Sequence, residues 1–175
     1  VNKVLNEPDF MPLMVLHDLM IAMKLGRHYK GEFRLTKAGK ALVGHPGRIF
    51  DTVVPVFLFR VDHAGSSRFV AEPVLGNWDI FLNVLNVETE DGATGAHLRR
   101  VLYGEPETGP VPRYDQVMGD LYIQVLRPLC WAGLLHKQPG AVSYRMEDAL
   151  FVKTPLWKAG LRLDTDGAVR GATRH

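Results

Sequence analysis

The chain has one cysteine in 175 residues, Cys130, so no disulfide can form within it and packing alone must hold the fold. Such scarcity fits a reducing compartment, and a cytoplasmic location is expected. Long apolar runs are also missing. The richest, from Val53 to Phe59, is seven residues with Pro55 inside it, far short of the roughly 20 that span a bilayer. The opening Val1-Asn2-Lys3-Val4 has neither the apolar stretch nor the small-residue cleavage pattern of a signal peptide. No membrane association is expected.

Catalytic and metal-binding motifs are absent as well. The sequence holds no HExxH, CxxC, GxSxG, GxGxxG or P-loop pattern. Its seven histidines, at 17, 28, 45, 63, 97, 136 and 175, are scattered. Asp62-His63 is the most tempting acid–base pair, yet neighbours in an extended loop point apart. Cys130 and His136, six residues apart on one helix, would lie about 240° apart. Cys130 beside Trp131 reads as a small buried hydrophobe. The expectation is no catalytic centre, no cofactor and no metal.

What is present is ordinary globular material, with 46% apolar residues, 23% charged residues and a net charge of +2. A chain this long buries roughly 70% of its unfolded surface, so a single compact domain over 1–175 is expected. The near-neutral total hides an uneven spread. Residues 1–60 carry nine basic and five acidic side chains, residues 61–120 four and ten, and residues 121–175 eight and four. Between residues 24 and 48, Lys24, Arg27, Lys30, Arg34, Lys37, Lys40 and Arg48 face only Glu32. Such a cluster suits either a polyanion or the chain's own acidic middle.

Local signals predict a helix from Pro12 to Leu25, apolar around most of its circumference and so expected to be buried, with Gly26 as its cap. Arg27–Gly31 reads as a turn into a strand from Glu32 to Leu35. Thr36 caps a helix from Lys37 to Val43, closed by Gly44. A buried helix from Arg48 to Arg60 contains Pro55. Asn77–Val87 forms a helix with an apolar stripe of Trp78, Ile80, Phe81, Val84 and Leu85. Ala96–Tyr103 is helical, and 104–112 is a proline-rich loop. A long helix from Arg113 to His136 is kinked or split at Pro128. Strands follow at 142–145 and 149–152, then a Thr154-capped helix to Leu161. Leu163 onward is a tail, expected to be mobile at its tip.

These elements suggest a divergent repeat. Leu16, Leu19, Ala22 and Leu25 match Leu126, Leu129, Ala132 and Leu135 at an offset of 110, and the segment 33–39 matches 151–157 at 118. Each copy reads as an apolar helix, a short hairpin and a threonine-capped helix.

The segment Phe33-Arg34-Leu35-Thr36-Lys37-Ala38-Gly39-Lys40-Ala41-Leu42 resembles the wing-to-helix segment of winged-helix proteins, MarR-like regulators included. Residues 16–31 would then match a recognition helix and the start of its wing. The whole chain is also similar to uncharacterised bacterial proteins in which a winged-helix-like piece at each end brackets a helical middle. The resemblance implies a mostly α, α+β fold with two small β-hairpins. Its winged-helix-like halves would span 1–50 and 113–163, around a helical middle at 51–112.

Two departures limit what the resemblance implies. Residues 1–11 are too few for the two helices that normally precede such a wing helix, and Thr154-Pro155-Leu156-Trp157 lacks the family's glycine. Neither helix offers the row of Arg, Asn, Gln or Lys that reads bases in the major groove. The expected role is a non-catalytic regulatory or protein-interaction module, with a protein partner or self-association. The alternative is contact with nucleic-acid phosphates through the first hairpin, using Lys24, Arg27, His28, Lys30, Arg34, Lys37 and Lys40.

Overall fold

The structure is a computed structural model and describes residues 10–64, 76–106, 116–140 and 145–172. It is of the α+β class and mostly helical, with two small antiparallel sheets. The chain divides into two compact units, Val1–Val61 and Asp62–His175.

The N-terminal unit begins with α1, Met11–Ala22, whose Pro12 sits in the first turn, where no amide donor is needed. The helix stops before the expected Leu25. Lys24 takes the left-handed position (φ 56°), and the Leu25 amide donates to the Met20 carbonyl at 2.8 Å. Gly26 is therefore not the cap. It opens strand β1, Gly26–Tyr29, where a Cβ would come within 2.1 Å of the Phe33 ring. Strand β2, Glu32–Leu35, pairs antiparallel with β1, placing Arg27 opposite Arg34 and His28 opposite Phe33. Lys30 and Gly31 turn the hairpin, both with positive φ, the backbone that a two-residue hairpin loop favours.

Thr36 caps the short α2, Lys37–Lys40, accepting from the Gly39 amide at 3.2 Å. Helix α3, Pro46–Arg60, runs through Pro55 without ending. The core of this unit is thin. Leu19, Leu25, Phe57 and Leu58 are its buried large side chains among the described residues. The sequence reading of two buried helices is thus corrected: Leu13, Leu16 and Ile21 of α1 and Ile49 and Phe59 of α3 are exposed.

The C-terminal unit is built around a dense core. Asn77 caps α4, Trp78–Glu88, through the Ile80 amide at 3.0 Å. Phe81, Leu82 and Leu85 of α4 face inward, while Ile80, expected in the stripe, faces out. Strand β3, Ala93–Thr94, leads into α5, Gly95–Tyr103. A helical run then comprises α6, Gln116–Leu121, a π-helical stretch Tyr122–Leu126, and α7, Arg127–Trp131. Pro128 explains the π stretch. It has no amide for the Gln124 carbonyl, and its ring crowds that carbonyl, so the chain widens upstream and the Arg127 amide reaches back five residues to Tyr122.

The helix expected to reach His136 instead gives way to strand β4, Leu135–Gln138, which pairs with β5, Leu150–Lys153. Of the strand predicted at 142–145, residues 142–144 lie outside the described residues, and Arg145 is not in a strand. Strand β3 adds to β5, giving the order β3-β5-β4. Thr154 caps α8, Pro155–Gly160. The tail contains α9, Asp166–Ala172, with Val169 buried, and its last three residues lie outside the described residues.

The repeat takes a sharper form than the sequence suggested. Strands β1 and β4 correspond at an offset of 109 and β2 and β5 at 118, with Gly26 opposite Leu35 matching Leu135 opposite Lys153. Lys24 and Gly133 share the left-handed position (φ 56° and 74°). The Leu25 amide bonds Met20 as the Leu134 amide bonds Leu129. Thr36 Oγ1 donates to the Lys24 carbonyl and Thr154 Oγ1 to that of Gly133, at 2.7 and 2.6 Å.

Candidate functional site

Alternation along the first hairpin separates its side chains into two faces. Arg27, Tyr29, Glu32 and Arg34 share one face. The Tyr29 ring is the centre of that face, with the Arg27 and Arg34 guanidinium carbons 5.6 and 5.2 Å from its centroid and Lys30 Nζ at 5.6 Å. Like charges directly opposite one another repel, and here the ring and Glu32 offset that repulsion. Glu32 accepts from Arg34 Nη2 at 2.7 Å and Nε at 3.0 Å. Arg27, Lys30 and Arg34 are exposed together at the end of a rigid two-stranded element.

His28 belongs to the other face. Its Nε2 lies 3.0 Å from Nε2 of His17 on α1, and Phe33 packs edge-on against both rings, with centroids at 4.5 and 5.8 Å. His28 thus sits on the face of the hairpin opposite Arg27 and Arg34, exposed and beside α1. Lys24, Lys37 and Lys40 are exposed beyond the hairpin, Lys24 at the end of α1 and the lysines at 37 and 40 on α2. The expected set is therefore spread over an edge of Arg27, Lys30 and Arg34, three outlying lysines and a histidine paired with α1.

Beside the hairpin lies a feature that sequence reasoning missed, an apolar groove of about 280 Å³. Leu16 and Met20 of α1, Leu25 and Leu35 of the hairpin region, and Leu42, Val43, Ile49 and Val53 line it, with Gly39 of α2. Gly39 lets α2 approach, because a Cβ there would meet the Leu25 carbonyl oxygen at 2.1 Å. The rim is open, with Leu16 45%, Val43 62% and Ile49 41% exposed. In the second copy of the motif, Val125 and Leu129 correspond to Leu16 and Met20, and both are fully buried. The C-terminal unit places α4, β3 and α5 before this copy of the motif, and the described residues of the N-terminal unit have no counterpart of them. The available signal was α1 itself, a helix apolar on all sides in a segment with few residues to cover it.

Two family models match the chain, one described as the Y4jL N-terminal domain over residues 1–48 and one as the y4jL C-terminal domain over residues 67–155. The second alone covers half of the sequence. The chain belongs to the y4jL family. A relative from Sinorhizobium fredii (strain NBRC 101917 / NGR234), "Uncharacterized protein y4jL", is 32% identical over 112 residues, 64% of this chain and 50% of that protein. The chain thus spans about half the length of that relative. No solved structure matches. In this y4jL chain one family domain falls in each structural unit, the gap between them containing the division at Val61.

The residues weighed for catalysis lie as follows. Asp62 is exposed and its Oδ1 accepts from the Ala64 amide at 2.9 Å, while His63 is buried with its ring 6.2 Å from that of Trp78. Cys130 sits half-buried in α7, and burial pushes its thiol up to about 11. His136 lies on β4. Among the described residues no three His, Cys, Asp or Glu side chains converge as a metal site. No described helix is long and apolar enough to cross a membrane.

Proposed function

We propose that this y4jL-family protein is a non-catalytic interaction module on a winged-helix-like scaffold, and that its working surface is the apolar groove of the N-terminal unit. The scaffold reading is supported by the order α4, β3, α5, the helical run 116–131, β4 and β5, with strands arranged β3-β5-β4. It is also supported by the helix–hairpin–threonine-cap motif present twice. The functional reading rests on one observation: Leu16, with Val43 and Ile49 beside it on the groove, stays open to solvent where its counterpart Val125 is fully buried. A contiguous apolar patch of this kind on a small unit marks a contact surface.

The groove takes the apolar face of another polypeptide, a second copy of the chain in the simplest case. Light scattering across a concentration series gives the first test. A dimer that Leu16→Asp or Val43→Asp returns to monomer supports the proposal. A monomer whose groove binds an environment-sensitive apolar dye, with the signal lost in the same variants, supports an outside partner. A monomer that binds no dye overturns it.

A second reading, phosphate contact by the first hairpin, is favoured by the gathering of Arg27, Lys30 and Arg34 around Tyr29. Phosphate contact needs charge and reach, which this edge has. With about four phosphates neutralised, log K falls against log salt with a slope near −3.6. Arg27→Glu, Lys30→Glu and Arg34→Glu together should abolish duplex binding. Binding that is flat with salt, or unchanged in the triple variant, removes this reading.

A further inference from the structure

We propose that His17 and His28 form a two-histidine chelate for a divalent late first-row transition cation, Cu²⁺ or Ni²⁺, clipping strand β1 to helix α1. The two rings come from separate, rigid elements, and their Nε2 atoms lie 3.0 Å apart. Phe33 packs against both and restricts their rotation. With metal–nitrogen bonds of about 2.05 Å, that separation subtends an angle of about 94° at the metal. This is the cis angle of square-planar and octahedral centres, the geometries of Cu²⁺ and Ni²⁺, and well below the tetrahedral angle preferred by Zn²⁺.

In the hydrogen bond between the rings one Nε2–H donates to the other Nε2, and coordination displaces that proton, leaving a lone pair on each Nε2 for the metal. No third His, Cys, Asp or Glu converges with the pair among the described residues. Both histidines are accessible, His28 exposed and His17 partly so. The clip closes from the face of β1 opposite Arg27 and Tyr29, so it fixes the basic edge without occupying it.

Calorimetry on the untagged full chain with CuCl₂, NiCl₂, ZnCl₂ and MgCl₂ tests this. The expected result is one Cu²⁺ or Ni²⁺ per chain, weaker Zn²⁺ and no Mg²⁺. His17→Gln and His28→Gln, which keep a polar amide, should each weaken Cu²⁺ and Ni²⁺ at least tenfold, while His97→Gln in the other unit should not. Electron paramagnetic resonance of the Cu²⁺-loaded unsubstituted chain should show two equatorial imidazole nitrogens, a result independent of how the variants fold. No uptake at millimolar Cu²⁺ or Ni²⁺, fewer than two nitrogens, tighter Zn²⁺ than Ni²⁺, or unchanged binding in both histidine variants would overturn the proposal.

Discussion

Asn86 is a buried residue on which several polar groups of the C-terminal unit converge. Its Oδ1 accepts from Trp157 Nε1 at 2.9 Å and Lys153 Nζ at 3.3 Å, and its Nδ2 donates to Thr165 Oγ1 and Asp166 Oδ1, both at 3.0 Å. The Lys153 ammonium is nearly sealed, at 5% side-chain exposure, and also donates to the Asn86 carbonyl at 2.7 Å and to Glu90. A buried charge is tolerated only while its partners remain. Asn86→Leu strands the Trp157 N–H and one Lys153 contact, and should destabilise the chain by about 3 kcal/mol in denaturant unfolding. Glu90 adds a pH dependence. Lys153 foremost and Lys158, against desolvation, hold its carboxyl below the ordinary value of 4.5. A depressed acid contributes stability that is whole above that ordinary value and is lost as pH falls through the lower folded value. The acid limb of stability against pH should flatten in Glu90→Gln, and an unchanged limb would contradict this role.

Elements show what sequence can and cannot convey. The Thr36 and Thr154 caps were legible because a cap is a local event, one side-chain oxygen meeting an amide two or three residues on. Strand β4 was not, because Leu134-Leu135-His136 reads as the last turn of the apolar helix, while Gly133 in the left-handed position ends that helix and the strand is defined by pairing with β5. Helix α9 was hidden for a similar reason: Thr165 and Asp166 are held by Asn83 and Asn86, some 80 residues upstream. The basic hairpin edge could be counted in advance, but the pairing of His28 with His17 required the register. The groove left one sequence signal, the all-round apolar α1, and its walls come from residues up to 37 positions apart. Two substitutions test the helix–hairpin junction that both copies share. Gly39→Ala places a Cβ at 2.1 Å from the Leu25 carbonyl oxygen and should cost the N-terminal unit about 2 kcal/mol or more. Lys24→Gly relieves a left-handed residue where the second copy already has Gly133, and should gain up to about 1 kcal/mol. Thermal or denaturant unfolding of each variant reads both signs.

At the scale of the whole molecule, the two units differ in how completely each closes its own core. In the C-terminal unit Leu85, Leu98, Leu121, Leu126, Leu129, Leu134 and Phe151 are all fully buried, with Trp157 beside them at 1%. In the N-terminal unit the described residues supply four large buried side chains, and Leu13, Leu16, Val43 and Phe59 stay exposed. A chain segment of about 60 residues is already near the size at which one core gives only a few kcal/mol. A thin core with an uncovered apolar helix falls below even that. Expressed separately, residues 62–175 should therefore unfold in one cooperative transition, with a midpoint within a few degrees of the major transition of the whole chain. Residues 1–61 alone should be marginal, with a shallow transition, and should gain stability with rising protein concentration if the groove is filled by a second copy. Calorimetry of both fragments separates the cases. A cooperative, concentration-independent transition in residues 1–61 would mean the exposed face of α1 needs no cover, and would remove the physical basis for an interaction surface there.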